Sequence, residues 1–414
     1  MPRKAVVLAL ALGLLIAGGV FQAGAATPQT NAANQALDYI RTIQNADGGF
    51  PSFGSDSSAG ATLDAVFAFA AAGVDIGTVE KGGNSPIGYL EAQADAYAAT
   101  PGGAAKLVLG LIAAGEDPHA FAGADYVAKM QSYFDSAAHR YGEQTIDHAL
   151  YMLARKSLGL SPAYGTVSFL KSKQSADGCW EFSDGFGCDT NTTAVAIQAL
   201  LAAGLPPTDG SIKNALGYLK AAQNTDGGFP YVVPSDSDAN STAYVLQALV
   251  AAGEDVDAGG SWEKPGGRTP PQALLSFRDA TTGAFTYAGE DSAYATYQAV
   301  PALLLQPLLL PPVKDKATAT PRPTHTSTAT AVSATTPAAT ATTAATIATA
   351  PTATPLAQVL PVYVGPAAPL VLASAGEGPA GADAASMPGV ALLLAAAGCL
   401  IGGLLARRVC GSRG

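Results

Sequence analysis

The fold is decided by the stretch QSADGCWEFSDGFGCDTNTTAVAIQALLAAG at residues 174–204, which the chain repeats with variations. A glutamine is followed by a turn, then by glycine and an aromatic residue. An apolar segment comes next, which begins at threonine and ends eleven residues later in Ala-Ala-Gly. Residues 44–73 and 223–253 repeat the phrase; Gln, Gly and the aromatic residue keep the same offsets, and threonine to glycine is again eleven residues. A fixed period of this kind is typical of stacked helical hairpins.

Three weaker copies complete the pattern. The eleven-residue segment recurs at 104–115, 145–156 and 292–303, and the six segment starts lie 41 to 50 residues apart. We therefore predict six units between about Asn34 and Gln306, each made of two antiparallel helices.

The second helix of each unit is almost wholly apolar, as at residues 194–201. A helix with apolar residues on most faces must be buried on most faces, whereas the first helix carries its apolar residues on one side. The pattern predicts an all-α fold, six helical hairpins closed as an α/α toroid (an α6/α6 barrel), with an open solenoid as the competing arrangement. We expect Thr193 and its equivalents to cap the inner helices, and Gly204 and its equivalents to be left-handed.

The pattern Phe169-Leu170 … Gln174 … Gly178-Cys179-Trp180 resembles the glutamine–tryptophan repeat of the prenyltransferase and squalene-cyclase toroids. Three copies match it well and two poorly, and in the sixth copy Asp279 takes the glutamine position. The resemblance covers about 270 of the 414 residues and implies the toroid fold. It is less specific for activity, because such toroids also occur in cobalamin carriers and in complement and macroglobulin thioester domains.

The cyclase branch of this family implies a catalytic acid in an Asp-x-Asp-Asp-Thr-Ala motif. Residues 189–194 align with it, but Asn191 and Thr192 replace the second and third acids. An amide cannot supply a strongly acidic proton. A near copy at residues 238–243 indicates that the string belongs to the repeat, where its side chains cap the inner helix.

The other two branches also lack key residues. The protein prenyltransferase branch implies a zinc ion held by Asp, Cys and His, but His139 and His148 have no cysteine nearby. The thioester branch implies Cys-Gly-Glu-Gln, and Tyr141 stands where the cysteine is needed. A calcium site that shares Asp236 and Asp238 with carbonyl groups stays open as an alternative. We expect no catalytic residue, no metal and no cofactor.

The six inner helices are expected to run in one direction, which places their N-termini around one mouth of the barrel. Helix N-termini favour anions, but the segments before these helices are acidic and almost without Lys or Arg. Phe53, Asp56 and Asp291 lie in such segments. We expect a neutral, cationic or metal-bridged ligand rather than a diphosphate, with aromatic side chains for stacking. The candidate ligand-binding residues are Asp189, Asn191, Asp236, Asp238, Asn240, Tyr231 and Phe186.

The N-terminal residues predict export. Arg3 and Lys4 precede an apolar run at residues 5–20, and Ala-Gly-Ala at 23–25 has the pattern of a cleavage site. Residues 1–25 therefore read as a signal peptide, with an uncleaved anchor helix as the alternative.

The C-terminal residues predict a membrane anchor. Residues 387–406 are long and apolar enough for one transmembrane helix, and Arg407 and Arg408 after it indicate a cytoplasmic tail at 407–414. Residues 317–355 contain 15 Thr, 13 Ala and 5 Pro, so a disordered stalk is predicted within 311–386. Stalks of this composition are commonly O-glycosylated. The toroid then occupies residues 34–310.

Charge and cysteines narrow the partners. Residues 27–310 carry a net charge of about −15 without a cluster of Lys and Arg, which disfavours nucleic acid and anionic lipid. Cys179 and Cys188 flank a short loop in a domain expected to be exported, and we predict a disulfide between them, with two buried free thiols as the alternative. Cys399 and Cys410 fall in the predicted span and tail, so neither can join that pair.

These patterns together predict a single-pass protein of the cell membrane with its toroid outside the cell. The toroid is expected to bind a small molecule or a cell-envelope component in its mouth, without identified catalysis; a cobalamin-like carrier is one form of this reading. A terpene cyclase or prenyltransferase-like enzyme for a polyprenyl or other hydrophobic substrate is the alternative. A purely structural display head is the third possibility.

Overall fold

A computed structural model describes residues 27–266 and 268–308, and these residues form a closed ring of helices. The inner helices are α2 (Ala59–Ala71), α4 (Pro101–Ala114), α6 (Thr145–Ser157), α8 (Thr190–Ala202), α10 (Ala239–Ala251) and α12 (Ala293–Leu303). The outer helices are α1 (Pro28–Ile43), α3 (Pro86–Tyr97), α5 (Tyr126–Ser132), α7 (Thr166–Ser172), α9 (Gly210–Ala222) and α11 (Pro270–Ser276). Each inner helix packs against the next one, and α12 packs against α2. The predicted α/α toroid is therefore confirmed for the described residues.

The inner helices run parallel and in register around a central space, the lumen. The sixth residue of every inner helix faces this space at one level, where the side chains line two small adjoining cavities. These residues are Asp64, Lys106, Leu150, Val195, Tyr244 and Gln298. We call the end of the barrel at which the inner helices begin the mouth.

The seam of the ring is the place where the first and last units meet. The outer helix α1 packs mainly on α12 and only weakly on α2. The Tyr297 hydroxyl in α12 donates a hydrogen bond to the Pro51 carbonyl at 2.8 Å. The first outer helix begins at Pro28, six residues before the predicted start of the toroid at residue 34, because Thr27 caps it and Pro28 suits its first turn.

The repeated glutamine joins neighbouring units. The Gln174 amide donates to the Gly178 carbonyl at 2.7 Å within its own turn, and to the Ser211 carbonyl of the next outer helix at 2.8 Å. Gly178 has a φ of +89°, and a Cβ there would lie 2.5 Å from the Asn214 carbonyl oxygen. The turn therefore needs glycine for its backbone conformation and for its close approach to the next unit.

The repeated threonine is not the helix cap, so that expectation is wrong. The cap of α8 is Asp189, four residues before Thr193. The Thr193 hydroxyl donates to the Asp189 carbonyl at 2.7 Å and accepts the Trp180 backbone N–H at 3.0 Å, so that it fastens the aromatic residue to the inner helix. The same bond from aromatic N–H to threonine hydroxyl recurs at Phe50–Thr62, Phe229–Thr242 and Phe285–Thr296.

In the third unit a histidine replaces this threonine. His148 Nδ1 accepts the Tyr141 backbone N–H at 3.1 Å, and Nε2 lies 3.0 Å from the Thr166 carbonyl. Burial lowers the pKa of His148 to about 4, so the ring is neutral at pH 7. Tyr141 is thus the repeat aromatic of the third unit, fully buried and stacked on Tyr151.

Short β-hairpins connect outer to inner helices at the mouth. They are β1 and β2 (Phe50–Pro51, Ser57–Ser58), β3 and β4 (Phe134–Asp135, Arg140–Tyr141), β5 and β6 (Trp180–Glu181, Cys188–Asp189), and β7 and β8 (Thr286–Tyr287, Glu290–Asp291). In the third of these hairpins a disulfide joins Cys179 to Cys188, with their Cα atoms 5.7 Å apart. The predicted disulfide is confirmed.

The predicted end segments lie outside the described residues. These are the signal peptide at 1–25, the stalk at 311–386, the transmembrane helix at 387–406 and the tail at 407–414. Within residues 27–266 and 268–308, no helix is both long enough and apolar enough to span a membrane.

Candidate functional site

Side chains at the mouth already occupy much of the hydrogen-bonding capacity of the inner-helix N-termini. Four inner helices other than α8 are capped by a side chain that accepts a first-turn backbone N–H, and the capping residues are Ser58, Thr100, Asp238 and Ser292. Asp189 caps α8 in the same way. Because two of these five caps are carboxylates, the positive ends of the helix dipoles face negative charge from the protein itself. The mouth is therefore poorly suited to an anionic ligand.

Asp189 is a buried cap with one carboxylate oxygen left over. Its Oδ1 accepts the Thr192 backbone N–H at 2.6 Å, while Oδ2 has no hydrogen-bond partner among the described residues. Burial raises the pKa of Asp189 to about 7 against the opposing effect of the Thr192 hydrogen bonds. Asn191, which replaces the second acid of the cyclase motif, is also buried, and its Nδ2 finds no partner in the same part of the chain.

The equivalent residues of the fifth unit are held by structural hydrogen bonds. Asp238 caps α10 and accepts both the backbone N–H and the hydroxyl of Ser241 at 2.8 Å, and burial raises the pKa of its carboxyl group. The Asn240 amide donates to Gln298 Oε1 at 2.9 Å and so joins α10 to α12. Asp236 is exposed on the loop before α10. Within the described residues, no group of three or more His, Cys, Asp or Glu is placed to hold a metal ion.

The two predicted aromatic residues lie apart. Tyr231 is half-buried, and its carbonyl accepts the Thr190 backbone N–H at 3.0 Å beside the Asp189 cap. Phe186 is 61 % exposed on the tip of the disulfide hairpin and packs edge-on against Phe182. The seven predicted ligand-binding residues therefore spread around the mouth of the fourth and fifth units. None of them lines the two lumen cavities or the cleft at the seam of the ring, which is described next.

An open cleft of about 320 Å³ lies at the seam of the ring, and we call it the seam cleft. It is lined by α1, by the two hairpins that precede α2 and α12, and by the start of α12; its lining residues are Tyr39, Ile43, Pro51, Ser52, Phe53, Gly54, Tyr287, Glu290, Asp291, Ser292 and Ala293. Phe53 is 66 % exposed and its ring centre lies 5.5 Å from that of Tyr294. Burial, together with the nearby Asp291 carboxylate, raises the pKa of Tyr39.

The seam cleft combines aromatic rings with acids. Glu290 and Asp291 are both exposed, so they can meet a ligand while solvated. Aromatic faces beside carboxylates bind organic cations and neutral ring compounds better than anions. Sequence analysis placed Phe53 and Asp291 at the mouth but did not join them, because they belong to units that become neighbours only when the ring closes.

The lumen contains a buried ion pair that the sequence analysis missed. Lys106 Nζ lies 2.8 Å from Asp64 Oδ1 and also donates to the Gly60 carbonyl at 3.2 Å, and both side chains are less than a tenth exposed. Burial raises the pKa of Asp64, while the charge and hydrogen bond of Lys106 act in the opposite direction. A lone charged residue at the third position of an otherwise apolar segment was the available signal at both Asp64 and Lys106.

Side chains of the described inner helices line two small cavities in the lumen. The two cavities at the level of the sixth residues measure about 20 Å³ each, which is space for about one water molecule. Leu308, which follows α12 in the chain, lines both of them. Asp147 in the first turn of α6 is buried as well, and burial raises its pKa to about 7.

Comparison with known proteins gives one family match. The prenyltransferase alpha-alpha toroid domain matches residues 5–91 and 135–266. No curated protein sequence matches the chain.

Three of the solved structures similar to this chain serve as examples. A type II terpene cyclase from Scytonema is 15 % identical with a TM-score of 0.48, over 67 % of this chain and 97 % of the cyclase. Haptocorrin in complex with Cbi is 14 % identical with a TM-score of 0.45, over 69 % and 68 %. Candida albicans protein geranylgeranyltransferase-I, complexed with GGPP, is 12 % identical with a TM-score of 0.44, over 66 % and 90 %. At these identities the likeness concerns the fold alone.

Proposed function

Because the chain belongs to the prenyltransferase α/α toroid family, we propose that it uses the mouth of its toroid to bind an extracellular ligand, without catalysis. The ligand is a small molecule or a component of the cell envelope, neutral or cationic in character. In this proposal the signal peptide and the C-terminal span place the toroid on the outer side of the cell membrane.

The observation that carries the proposal is the seam cleft. Its volume of about 320 Å³ falls in the range of small-molecule pockets. Phe53 offers an exposed ring, and Glu290 and Asp291 offer negative charge beside it. Ligand stacking on Phe53 would also cover an exposed aromatic surface, which favours binding through the hydrophobic effect.

The state of the lumen supports binding over catalysis. A polyprenyl chain needs a cavity of several hundred Å³, whereas the lumen cavities measure about 20 Å³ each. Asp189, the first acid of the cyclase-like string, is engaged as a helix cap. An enzyme that accepts a polyprenyl chain would require the residues around these cavities, as well as the Asp189 cap, to rearrange.

A second place on the mouth competes with the seam cleft. Tyr231 and Phe186 flank the start of α8, where Asp189 and Asn191 each have an unpartnered polar atom within the described residues. A ligand there would be expected to donate a hydrogen bond to Asp189 Oδ2 and to accept one from Asn191 Nδ2.

The test uses one probe and two matched variants. Benzyltrimethylammonium, an aromatic cation, is titrated into the wild-type protein, Phe53→Ala and Phe186→Ala by isothermal calorimetry. Phe53→Ala should weaken binding at least tenfold, and Phe186→Ala should stay within about twofold of wild type. The reverse ranking would move the site to the fourth and fifth units.

Native mass spectrometry of protein purified from its own host complements this titration. A bound species should be retained by Phe186→Ala and lost by Phe53→Ala. If neither the probe nor any host compound binds, the proposed binding function is wrong.

A further inference from the structure

The chain turns back into the barrel after its last helix. α12 ends at Leu303, and Leu305 takes a left-handed φ of +52°. The Gln306 backbone N–H then donates to the Pro301 carbonyl at 2.9 Å. Pro307 and Leu308 follow and line the lumen. We call residues 306–308 the inserted segment; it enters from the end of the barrel opposite the mouth.

Two glutamine side chains hold the backbone of the inserted segment. Gln198 Oε1 accepts the Leu308 backbone N–H at 2.8 Å, and Gln247 Nε2 donates to the Gln306 carbonyl at 3.0 Å. Gln198 and Gln247 are the ninth residues of α8 and α10, and both are buried. The two amides thus pair with one N–H and one C=O of the same short stretch of backbone, which is how side chains recognise a peptide backbone.

Apolar side chains of the lumen receive Leu308. It shares a cavity with Phe67, Leu109, Leu150 and Val195, which come from four different inner helices. This apolar wall and the two glutamines together match a segment with an apolar side chain and free backbone groups.

The lumen side chains around the inserted segment are more polar than a hydrophobic core requires. Gln198 Nε2 is buried and has no hydrogen-bond partner among the described residues. The Asp64–Lys106 ion pair adjoins the same cavity. Buried polar groups are costly unless they are paired. A site that exchanges occupants would explain why two glutamines and an ion pair lie among the apolar residues that follow the first turns of these helices.

We propose that the lumen is a second binding site, specific for a short, neutral peptide with an apolar side chain, and that the chain's own residues 306–308 occupy it. The inserted segment is then a built-in competitor. A peptide with the same chemistry can enter only when the inserted segment is withdrawn. This site is separate from the seam cleft and uses none of its residues.

The experiment measures peptide binding to the full chain. The probe is a fluorescein-labelled, amidated peptide with the sequence Gln-Pro-Leu-Leu, followed by anisotropy. Leu308→Asp should expel the inserted segment, because Lys106 is already paired with Asp64 and a second carboxylate buried against Phe67 and Val195 would lack a cation of its own. Leu305→Asp is the matched control, since Leu305 is 39 % exposed.

Leu308→Asp should bind the peptide saturably and at least tenfold more tightly than wild type or Leu305→Asp. Adding Gln198→Leu to Leu308→Asp should remove that gain, because the acceptor for the peptide N–H is lost. Leu308→Ala serves if the aspartate variant does not fold, and a smaller gain of threefold or more is expected. Saturable binding by neither folded Leu308 variant, or a gain unaffected by Gln198→Leu, would overturn the proposal.

Discussion

At the residue scale, Asp147 links the stability of the barrel to pH. Burial in the first turn of α6 raises its pKa to about 7, whereas an aspartate in an unfolded chain has a pKa of about 3.9. Between these values the folded protein keeps a proton on Asp147 that the unfolded chain has released. Stability contributed at this residue is therefore highest at low pH and falls as the pH rises from about 4 to 7.

We predict that Asp147→Asn stabilises the protein at pH 8. The neutral amide avoids the cost of burying a charge, which amounts to up to about 4 kcal/mol for a shift of this size. The gain in the free energy of unfolding should be larger at pH 8 than at pH 5, measured by urea denaturation. Asp56→Asn, at an exposed position in the first mouth hairpin, is the control and should change stability by less than about 0.5 kcal/mol. An equal gain at both pH values would contradict this account.

The lumen residues were accessible to sequence reasoning in part. Had the six apolar segments been aligned by position, their third residues would have read Asp64, Lys106, Asp147, Val195, Tyr244 and Tyr294, and an acid and a base in neighbouring helices would have indicated an ion pair. The cyclase-like string at Asp189 was interpreted instead, and the six segments were not aligned. The sequence could not predict which buried polar atoms lack a hydrogen-bond partner, because burial at the mouth depends on how hairpins from different units fold over it.

At the element scale, one repeated hydrogen bond ties the hairpins to the inner helices. The backbone N–H of the repeat aromatic residue donates it to the threonine hydroxyl of the inner helix. The sequence predicted the helices and their order because the apolar period is regular. The threonine caps predicted for the inner helices lie four residues too late in the chain, as Thr193 does relative to Asp189. The reason is that the first helical turn at residues 190–192 is polar and resembles a loop. That turn is helical because Asp189 caps it and the mouth accepts polar side chains.

Trp180→Ala should cost about 3–5 kcal/mol of unfolding free energy. Trp180 is fully buried and its indole donates to the Leu170 carbonyl at 2.7 Å, so the change leaves a cavity and removes this hydrogen bond. Tyr231→Ala at the half-buried mouth position should cost about 1 kcal/mol. Thermal and urea unfolding of the two variants compare the sites directly. Similar losses at both would mean that core and mouth are wrongly assigned.

At the scale of the whole molecule, the seam cleft shows what a repeat pattern cannot predict. Each unit was identified from its own sequence, and the closed ring followed from six buried helices. The cleft, however, joins Phe53 of the first unit to Asp291 of the last. Its shape depends on how the ring closes, which no single repeat encodes.

The predicted topology is testable on intact cells. A protease-cleavable tag inserted before Thr27, ahead of α1, should be cut by added protease, because the toroid is expected outside, and a tag after Gly411 should be protected. The same tags in lysed cells are the control and should both be cut. Protection of the first tag together with cleavage of the second would reverse the orientation.

The packing of α1 on α12 has a consequence for the order of folding. Among the described helices, α1 (residues 28–43) is synthesised first, yet its main partner is α12 (residues 293–303). Contacts of such long sequence separation slow folding, because a large loop must close before they form. The apolar face of α1 therefore stays uncovered until nearly the whole barrel has been synthesised.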